Sequence, residues 1–242
     1  VLTFGFTLLT SDIAIGRKTQ KSAIGAYEEM HPKWKFLGVL TFLVPVLIMT
    51  YYAVIGGWIT KYACVYLTGQ ASSAAQDDYF TSFITSPVSP VVFGLLFMAV
   101  TAFIVYKGVE SGIEKVSKFM MPILIVLSVI IAIYSVTRPG ALEGVKYFLV
   151  PNVKNFSWMT VVAAMGQMFY SLSIAMGILI TFGSYMKKDV SIEDSTRNVE
   201  VFDTAIAIMA GLMIIPAVFA FSGGDPETLQ AGPALMFITI PK

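Results

Sequence analysis

Long apolar runs separated by short polar stretches dominate this sequence of 242 residues. A helix that crosses a bilayer needs about 20 mostly apolar residues, and six of the runs reach or approach that length. Hydrophobic residues make up 56% of the chain and charged residues only 13%, whereas soluble domains carry about 25% charged residues. The sequence therefore predicts an all-α, polytopic membrane protein in contact with a lipid bilayer.

We predict six transmembrane segments within one membrane domain that covers residues 1–242. Their approximate bounds are 1–16, 36–66, 91–106, 120–136, 159–186 and 201–221. Of the 16 lysines and arginines, 11 follow the first, third and fifth segments, which predicts that these loops are cytoplasmic. Residues 222–242 then form an extracellular loop. Because the chain opens inside an apolar run, we expect it to be a segment of a longer polypeptide.

Several function classes are excluded by composition and spacing. A net charge of +1 leaves no basic surface for nucleic acid. One cysteine and one histidine do not make a zinc or iron site, which needs several converging ligands. The sequence contains no paired carboxylates at active-site spacing, no Ser/His/Asp set and no phosphate-binding glycine loop. We expect neither enzyme activity nor an organic cofactor.

The fifth predicted segment has small and polar residues at its centre, between Gln167 and Gly177. Small residues in a membrane helix often serve helix packing, and this alternative stays open. A break in the helix would instead free carbonyls and amides that lipid cannot satisfy, so they would have to line a cavity or bind a ligand. Carbonyls that end one half-helix suit a sodium ion, and amides that begin the next suit a carboxylate.

Polar side chains at membrane depth are further candidates. Asp203 begins the sixth segment, and a carboxylate inside a membrane helix marks an ion or proton path; a place at the cytoplasmic interface fits the sequence equally well. Asp12 lies near Arg17, and an interfacial pair at the helix end is the favoured interpretation. Tyr51 and Tyr52 lie too deep for the interfacial aromatic belt. Their hydroxyls need hydrogen-bond partners, either in core packing or from a ligand.

Five groups of motifs carry a resemblance to a known family. They are residues 12–17 (DIAIGR), 51–52 (YY) with Trp58, 112–115 (GIEK) with 121–122 (MP), 166–173 (GQMFYSLS) and 232–237 (GPALMF). With these motifs the sequence resembles the neurotransmitter:sodium symporter family, especially its bacterial amino-acid transporters. The resemblance covers essentially the whole chain, as the family's helices two to seven and the start of its fourth extracellular loop. It implies part of the inverted-repeat transporter fold with a discontinuous sixth helix, for which this family is itself a known example.

The function implied by the resemblance is sodium-coupled symport of an amino acid, hydrophobic or aromatic, by alternating access. The protein would be a multi-pass component of the inner (plasma) membrane, with sodium as its coupling ion. The alternative is a non-transporting membrane receptor or scaffold that retains the transporter fold. Tyr52, Gln167, Ser171, Ser173 and Asp203 together favour transport, because a scaffold has no need of polar groups at that depth.

The resemblance also assigns residues to the substrate. Tyr52 would donate its hydroxyl to the substrate carboxylate, and Tyr170 would form an aromatic lid above the substrate. Ser173 would offer its carbonyl and hydroxyl, while Ile48 and Met176 would line the side-chain pocket. The family often has an aromatic residue at the position of Met176. Methionine is flexible and repacks around different side chains, so we expect a broad hydrophobic or aromatic specificity.

The implied ion site consists of Ser171 and Asp203, which would coordinate the first sodium. The family usually has an asparagine at the position of Asp203, so this carboxylate, with Gln167 nearby, would replace a chloride ion and take up a proton on the return of the empty carrier. Tyr170 and Tyr185 would belong to the extracellular and cytoplasmic gates. Helices one and eight of the family, which carry further sodium and substrate ligands, have no counterpart in this chain.

Overall fold

The protein is described by a computed structural model over residues 4–76, 78–151, 156–222 and 235–239. These residues form helices joined by turns, and they contain no strand. The helices are α1 (Phe4–Thr19), α2 (Ala23–Met30), α3 (Lys35–Leu67), α4 (Ala71–Ala74), α5 (Tyr79–Thr85), α6 (Ser89–Tyr106), α7 (Lys115–Val136), α8 (Ala141–Leu149), α9 (Trp158–Ser171), α10 (Ile178–Tyr185) and α11 (Ile192–Ser222). A 3-10 turn at Pro32–Trp34 and π-helical turns at Val109–Glu114 and Leu235–Thr239 complete the described chain.

Among the described residues, four helical stretches are long and apolar enough to cross a membrane, namely Pro32–Leu67, Ser89–Tyr106, Ser111–Val136 and Ile192–Ala220. They overlap the second, third, fourth and sixth predicted segments and agree with the predicted polytopic all-α class. The first predicted segment corresponds to the 16 residues of α1. The fifth is divided into α9, with 14 residues, and α10, with 8. That these two segments also cross the membrane stays a prediction.

Two of the long helices begin well before the apolar runs that predicted them. α11 begins at Ile192 and α7 at Lys115, whereas the predicted segments begin at 201 and 120. The start of α11 is explained by local chemistry: the Ser191 hydroxyl accepts a hydrogen bond from the backbone N–H of Asp194 at 3.2 Å, as a helix N-cap does. Hydropathy therefore identified the apolar part of each of these two helices and missed its polar first turns.

The chain divides into two units, each described by itself. The first unit comprises Val1–Thr50 and Asn152–Ala207, and the second comprises Tyr51–Pro151 and Ile208–Lys242. The division falls within α3 and within α11, both of which are continuous helices.

Backbone contact between α1 and α10 organises the first unit. A Cβ atom on Gly16 would lie only 1.9 Å from the carbonyl oxygen of Ile180, and one on Gly183 would lie 2.5 Å from that of Ile13. Such approaches require residues without a side chain, which is the usual role of small residues between membrane helices. The buried side chains of Ile180, Ala23 and Ala26 continue this contact toward α2.

The second unit is organised by similar glycine contacts and by aromatic packing. A Cβ atom on Gly57 of α3 would lie 2.7 Å from the backbone nitrogen of Gly94 in α6. The rings of Phe80 and Phe237 stack with centroids 5.3 Å apart, and the Tyr62 hydroxyl donates a hydrogen bond to the Phe237 carbonyl at 2.8 Å. Most of the predicted loop 222–242 lies outside the described residues, but its described part therefore packs on α3 and α5.

Near Pro216, inside α11, a backbone carbonyl accepts a hydrogen bond from the side chain of another helix. Pro216 in α11 is fully buried, and one turn earlier the Met213 carbonyl accepts a hydrogen bond from the Ser135 hydroxyl at 2.8 Å. Proline removes one backbone donor from the helix ladder, and side chains from other helices commonly satisfy the carbonyls released nearby.

Candidate ion and substrate site

An unwound segment in the first unit separates α9 from α10. α9 ends at Ser171 and α10 begins at Ile178, and three residues between them have left-handed backbone conformations: Ser173 (φ 55°), Ala175 (φ 59°) and Gly177 (φ 71°). Non-glycine residues in this conformation cost about 1–3 kcal/mol each and cluster at functional sites. The predicted discontinuous helix is therefore present, and the small residues that were compatible with packing instead form its break.

Ser171 and Asp203 meet at the end of α9. The Ser171 hydroxyl donates a hydrogen bond to Oδ1 of Asp203 at 2.6 Å. Asp203 lies eleven residues after α11 begins at Ile192, so it stands within this helix and not before its start. The contact brings together the two side chains that the resemblance assigned to sodium.

The contact offers a hydroxyl oxygen and one carboxylate, which suit a hard cation of low charge. Within the described residues, no group of three or more His, Cys, Asp or Glu side chains is placed to hold a metal ion. Gln167 lies one helical turn before Ser171 and is exposed, so the two share a face of α9.

Asp12 corrects the sequence interpretation. This residue is buried, with 9% of its surface exposed, and its Oδ2 accepts a hydrogen bond from the backbone N–H of Ala175 at 3.2 Å. Arg17 donates to the Val190 carbonyl, and no ion pair joins it to Asp12 among the described residues. The predicted helix-end pair is therefore wrong, and Asp12 supports the unwound segment.

The signal for this contact was present in the sequence. Asp12 and Gly16 are four residues apart and so lie on one face of α1, and Gly16 packs on α10. A carboxylate on the packing face of a helix points toward its neighbour, whereas a solvated helix-end pair would lie on another face. Glu200 of α11 is also buried. It was not among the polar candidates found from the sequence, because the predicted sixth segment begins at residue 201.

Tyr27 of α2 adjoins the same region. Burial raises the pKa of its phenol, the nearby Asp12 carboxylate raises this pKa further, and a hydrogen bond with the Thr41 side chain opposes both effects. Tyr27 therefore stays a neutral phenol at physiological pH, and its hydrogen bond to Thr41 connects α2 with α3.

Of the substrate residues predicted in the first unit, Met176 lines a cavity that the others do not line. Met176 borders a cavity of about 410 Å³ below the unwound segment. Ser173 and Ile48 are half-buried, and Ile48 does not line this cavity. Tyr170 on α9 and Tyr185 at the end of α10 are exposed. The cavity is lined by Ser22, Ala23, Ile24, Phe42, Pro45, Met176, Gly177, Ile178, Thr181 and Phe182.

Tyr52 belongs to the second unit, where it is 49% exposed and its ring lies 6.1 Å from that of Tyr51. Its predicted contact with a substrate carboxylate therefore stays a prediction, as do the roles assigned to Ile48, Tyr170, Ser173 and Tyr185.

Comparison with known proteins supports the predicted family. A family model described as the sodium:neurotransmitter symporter family matches residues 1–87 and 87–242. An uncharacterised sodium-dependent transporter of Bacillus subtilis, YhdH, is 36% identical over 98% of this chain and 53% of its own length. One from Haemophilus influenzae is 31% identical over 100% of the chain and 55% of its own length. The sodium- and chloride-dependent GABA transporter 2 of mouse is 25% identical, with 48% of its length covered.

The chain spans about half the length of the curated relatives it matches. The matched regions nevertheless cover the chain from end to end, and they include the unwound helix and the Ser171–Asp203 contact. By sequence, the chain belongs to the sodium:neurotransmitter symporter family.

Proposed function

We propose that the complete protein is a sodium-coupled amino-acid symporter that works by alternating access in the inner (plasma) membrane, and that it is not an enzyme. The observation that carries this proposal is the 2.6 Å hydrogen bond between Ser171 and Asp203 at the end of a broken helix. A carboxylate inside a long apolar helix is costly and is by default a functional group. Its oxygen partner and the interrupted backbone beside it are what a monovalent cation needs.

The negative charge of Asp203 supports sodium binding that does not depend on chloride. A sodium ion in a dry site needs a compensating anion, because an unpaired buried charge is costly. Asp203 would supply that negative charge while sodium is bound; Ser171 is hydrogen-bonded to it, and Gln167 shares a face of α9 with Ser171. The mouse relative named above is described as chloride-dependent, and we infer that this chain differs from it because Asp203 takes the place of chloride.

The substrate proposal rests on the apolar cavity beside Met176. Its volume of about 410 Å³ falls within the range of about 300–1,000 Å³ typical of small-molecule sites. Ser22 and Thr181 are the polar side chains in its lining. Such a lining favours a neutral amino acid with a hydrophobic or aromatic side chain. For Ser173, Tyr170 and Tyr52 we propose, each by itself, the substrate contact that the resemblance implies.

The test is uptake by the complete protein reconstituted in proteoliposomes. Radiolabelled leucine, tryptophan, tyrosine, GABA and taurine are supplied with an inward sodium gradient or with choline in place of sodium. We expect uptake of leucine or an aromatic amino acid that requires sodium. Binding without uptake would favour a receptor or scaffold, and uptake in choline would contradict sodium coupling.

A pair of serine variants connects this activity to the site. Ser171→Ala removes a predicted ligand and should raise the sodium concentration for half-maximal uptake. Ser195→Ala is the matched control, because among the described residues its hydroxyl donates to the carbonyl of Ser191, just before the start of the same helix. Equal sodium dependence in the two variants would contradict the ion site while leaving transport itself intact.

A further inference from the structure

A short elbow, residues His31–Trp34, joins α2 to α3 in the first unit. It consists of His31 and the 3-10 turn that follows it, and the apolar stretch Pro32–Leu67, which is long enough to cross a membrane, begins in the same turn. The pattern of lysines and arginines predicts that this end of α3 is cytoplasmic. The elbow therefore falls at the level where lipid headgroups meet water.

Packing of the flanking helices fixes the elbow in place. Ala26 of α2 is fully buried and belongs to one cluster with Ile180 of α10. A Cβ atom on Gly38 of α3 would lie only 2.7 Å from the Cα atom of Ile24 in α2, so these two helices touch through their backbones. The elbow is therefore anchored on both sides, and its exposed side chains are presented by packed helices.

The polar side chains of the elbow are hydrogen-bond donors. Nδ1 of His31 accepts a hydrogen bond from the backbone N–H of Lys33 at 3.2 Å, so the neutral imidazole carries its hydrogen on Nε2. Lys33 adds an ammonium group and Trp34 an indole N–H, and neither of these groups can accept a hydrogen bond. The backbone N–H of Trp34 donates to the His31 carbonyl at 2.8 Å, which keeps the three residues in one turn.

The neighbouring carboxylates are already paired. Lys21 bonds Glu29 and Lys35 bonds Glu28, each at 2.8 Å. Lys33 is exposed and forms no ion pair among the described residues. The elbow thus presents one unpaired positive charge beside further donors, a chemistry that complements a phosphate group. No unpaired carboxylate is left there for the ammonium group of a zwitterionic headgroup, so a net negative headgroup is favoured.

Apolar side chains beside these donors distinguish a lipid from a free anion. Met30 is 53% exposed, Trp34 is 52% exposed and Phe36 is 61% exposed. A free phosphate ion would gain nothing from such neighbours, whereas a phospholipid brings apolar chains next to its phosphate and would remove these side chains from water. Tryptophan and lysine at the end of an apolar helix are also typical of the membrane interface.

We propose that the elbow is a binding site for an anionic phospholipid of the adjoining leaflet. Lys33 and Nε2 of His31 donate to the phosphate, and Met30 and Phe36 contact the apolar part of the lipid. Trp34 lies at the boundary between the two parts, as its amphipathic ring allows. This site is separate from the proposed ion and substrate sites, so the proposal does not depend on transport activity.

Lipid binding to the complete protein tests the proposal. Tritiated phosphatidylglycerol is bound to the detergent-solubilised protein and measured by scintillation proximity, with phosphatidylcholine and inorganic phosphate as unlabelled competitors. We expect saturable binding that neither competitor displaces and that weakens as the sodium chloride concentration rises, because salt screens exposed charges. Equal competition by phosphatidylcholine would overturn the requirement for an anionic headgroup. Displacement by millimolar phosphate would assign the site to a free anion and would equally overturn the proposal.

The informative variant is Lys33→Gln, which removes the charge from an exposed side chain. It should bind phosphatidylglycerol about fivefold more weakly, as expected for the loss of one lysine near an anionic lipid, and its remaining binding should depend less on salt. Lys187→Gln is the matched control, because it removes one exposed lysine from another loop that is predicted to be cytoplasmic. Unchanged binding in Lys33→Gln, or equal weakening in both variants, would contradict a site at the elbow.

A change at Trp34 separates lipid binding from simple attraction of charge. Trp34→Ala keeps the net charge and should also weaken binding, while the salt dependence stays that of wild type. Loss of binding in Lys33→Gln with none in Trp34→Ala would show that the elbow attracts anions without holding a lipid, which overturns the proposal. Size-exclusion chromatography checks that each variant is folded. If Trp34→Ala does not fold, Trp34→Leu keeps an apolar side chain without the indole N–H and must bind more weakly than wild type.

Discussion

The two units of the chain differ in the burial of their carboxylates, although both are built from apolar helices. In the second unit every described carboxylate is exposed, namely Asp78, Glu114 and Glu143. In the first unit Asp12 and Glu200 are buried and Asp203 is half-buried. The non-glycine residues with left-handed backbone in α9–α10 also belong to the first unit. Among the described residues, buried carboxylates and an interrupted helix are therefore features of the first unit, which is where we propose the ion site.

Each unit contains close glycine contacts of its own. Replacing one of these glycines should have the largest effect on the stability of the fold. Gly16→Ala would place a Cβ 1.9 Å from the Ile180 carbonyl, which neither backbone can avoid without moving. Overpacking of this kind costs about 1–3 kcal/mol and occasionally more. We expect a marked loss of folded protein in detergent, measured by size-exclusion chromatography and thermal unfolding.

The matched control for that change is Gly166→Ala in α9. Beyond its chain neighbours and the backbone of its own helix, no described atom lies within 4 Å of a Cβ at Gly166, so alanine should be neutral or stabilise the helix by about 0.5–1 kcal/mol. Equal destabilisation by both variants would mean that the α1–α10 contact is not as close as the glycine geometry indicates.

The ion chemistry assigned to the first unit is tested by Asp203→Asn. Wild type should take up substrate equally well in chloride and in gluconate, because the carboxylate compensates the sodium charge. The variant should lose most uptake in gluconate and recover it in chloride, since a buried sodium then lacks its anion. The measurement is initial uptake with chloride exchanged for gluconate. A chloride requirement in wild type, or a fully active variant that ignores chloride, would disprove charge substitution.

Tyr52 lies in the second unit, so it challenges the division of roles most directly. If its hydroxyl binds the substrate carboxylate, Tyr52→Phe should weaken binding by about 1.5–3 kcal/mol, or roughly ten- to a hundredfold. Tyr51→Phe is the natural control, because its ring neighbours that of Tyr52. Binding affinity and thermal stability are measured together. Unchanged affinity in a well-folded Tyr52→Phe protein would contradict the contact between the Tyr52 hydroxyl and the substrate carboxylate.

Sequence predicted the helices better than the site. The segment predicted at 36–66 corresponds to the helix Lys35–Leu67, and the one predicted at 91–106 corresponds to Ser89–Tyr106. These bounds agree because the length of an apolar run is visible in the sequence itself. The contact between Ser171 and Asp203 joins residues far apart in sequence, which periodicity cannot pair, and it was reached only through the resemblance. The left-handed conformation of Ser173 and Ala175 could not be predicted from the sequence either, since serine and alanine also occur in unbroken helices. Asp12 was misread because its partner is a backbone amide on another element.

The smallest effect concerns selectivity at the cavity of the first unit. Met176 borders this cavity with Phe42 and Phe182, and Met176→Phe replaces a flexible side chain with a stiff ring that cannot repack around a large substrate. A change of this size in an apolar pocket alters discrimination by at least about tenfold, so tryptophan should lose far more affinity than leucine. The measurement is a competition series against uptake of one labelled amino acid. Met98→Phe, on the exposed surface of α6, is the control and should leave the series unchanged. Equal losses for every competitor in Met176→Phe would show that the residue does not line the substrate pocket, and would leave the cavity without a role in specificity.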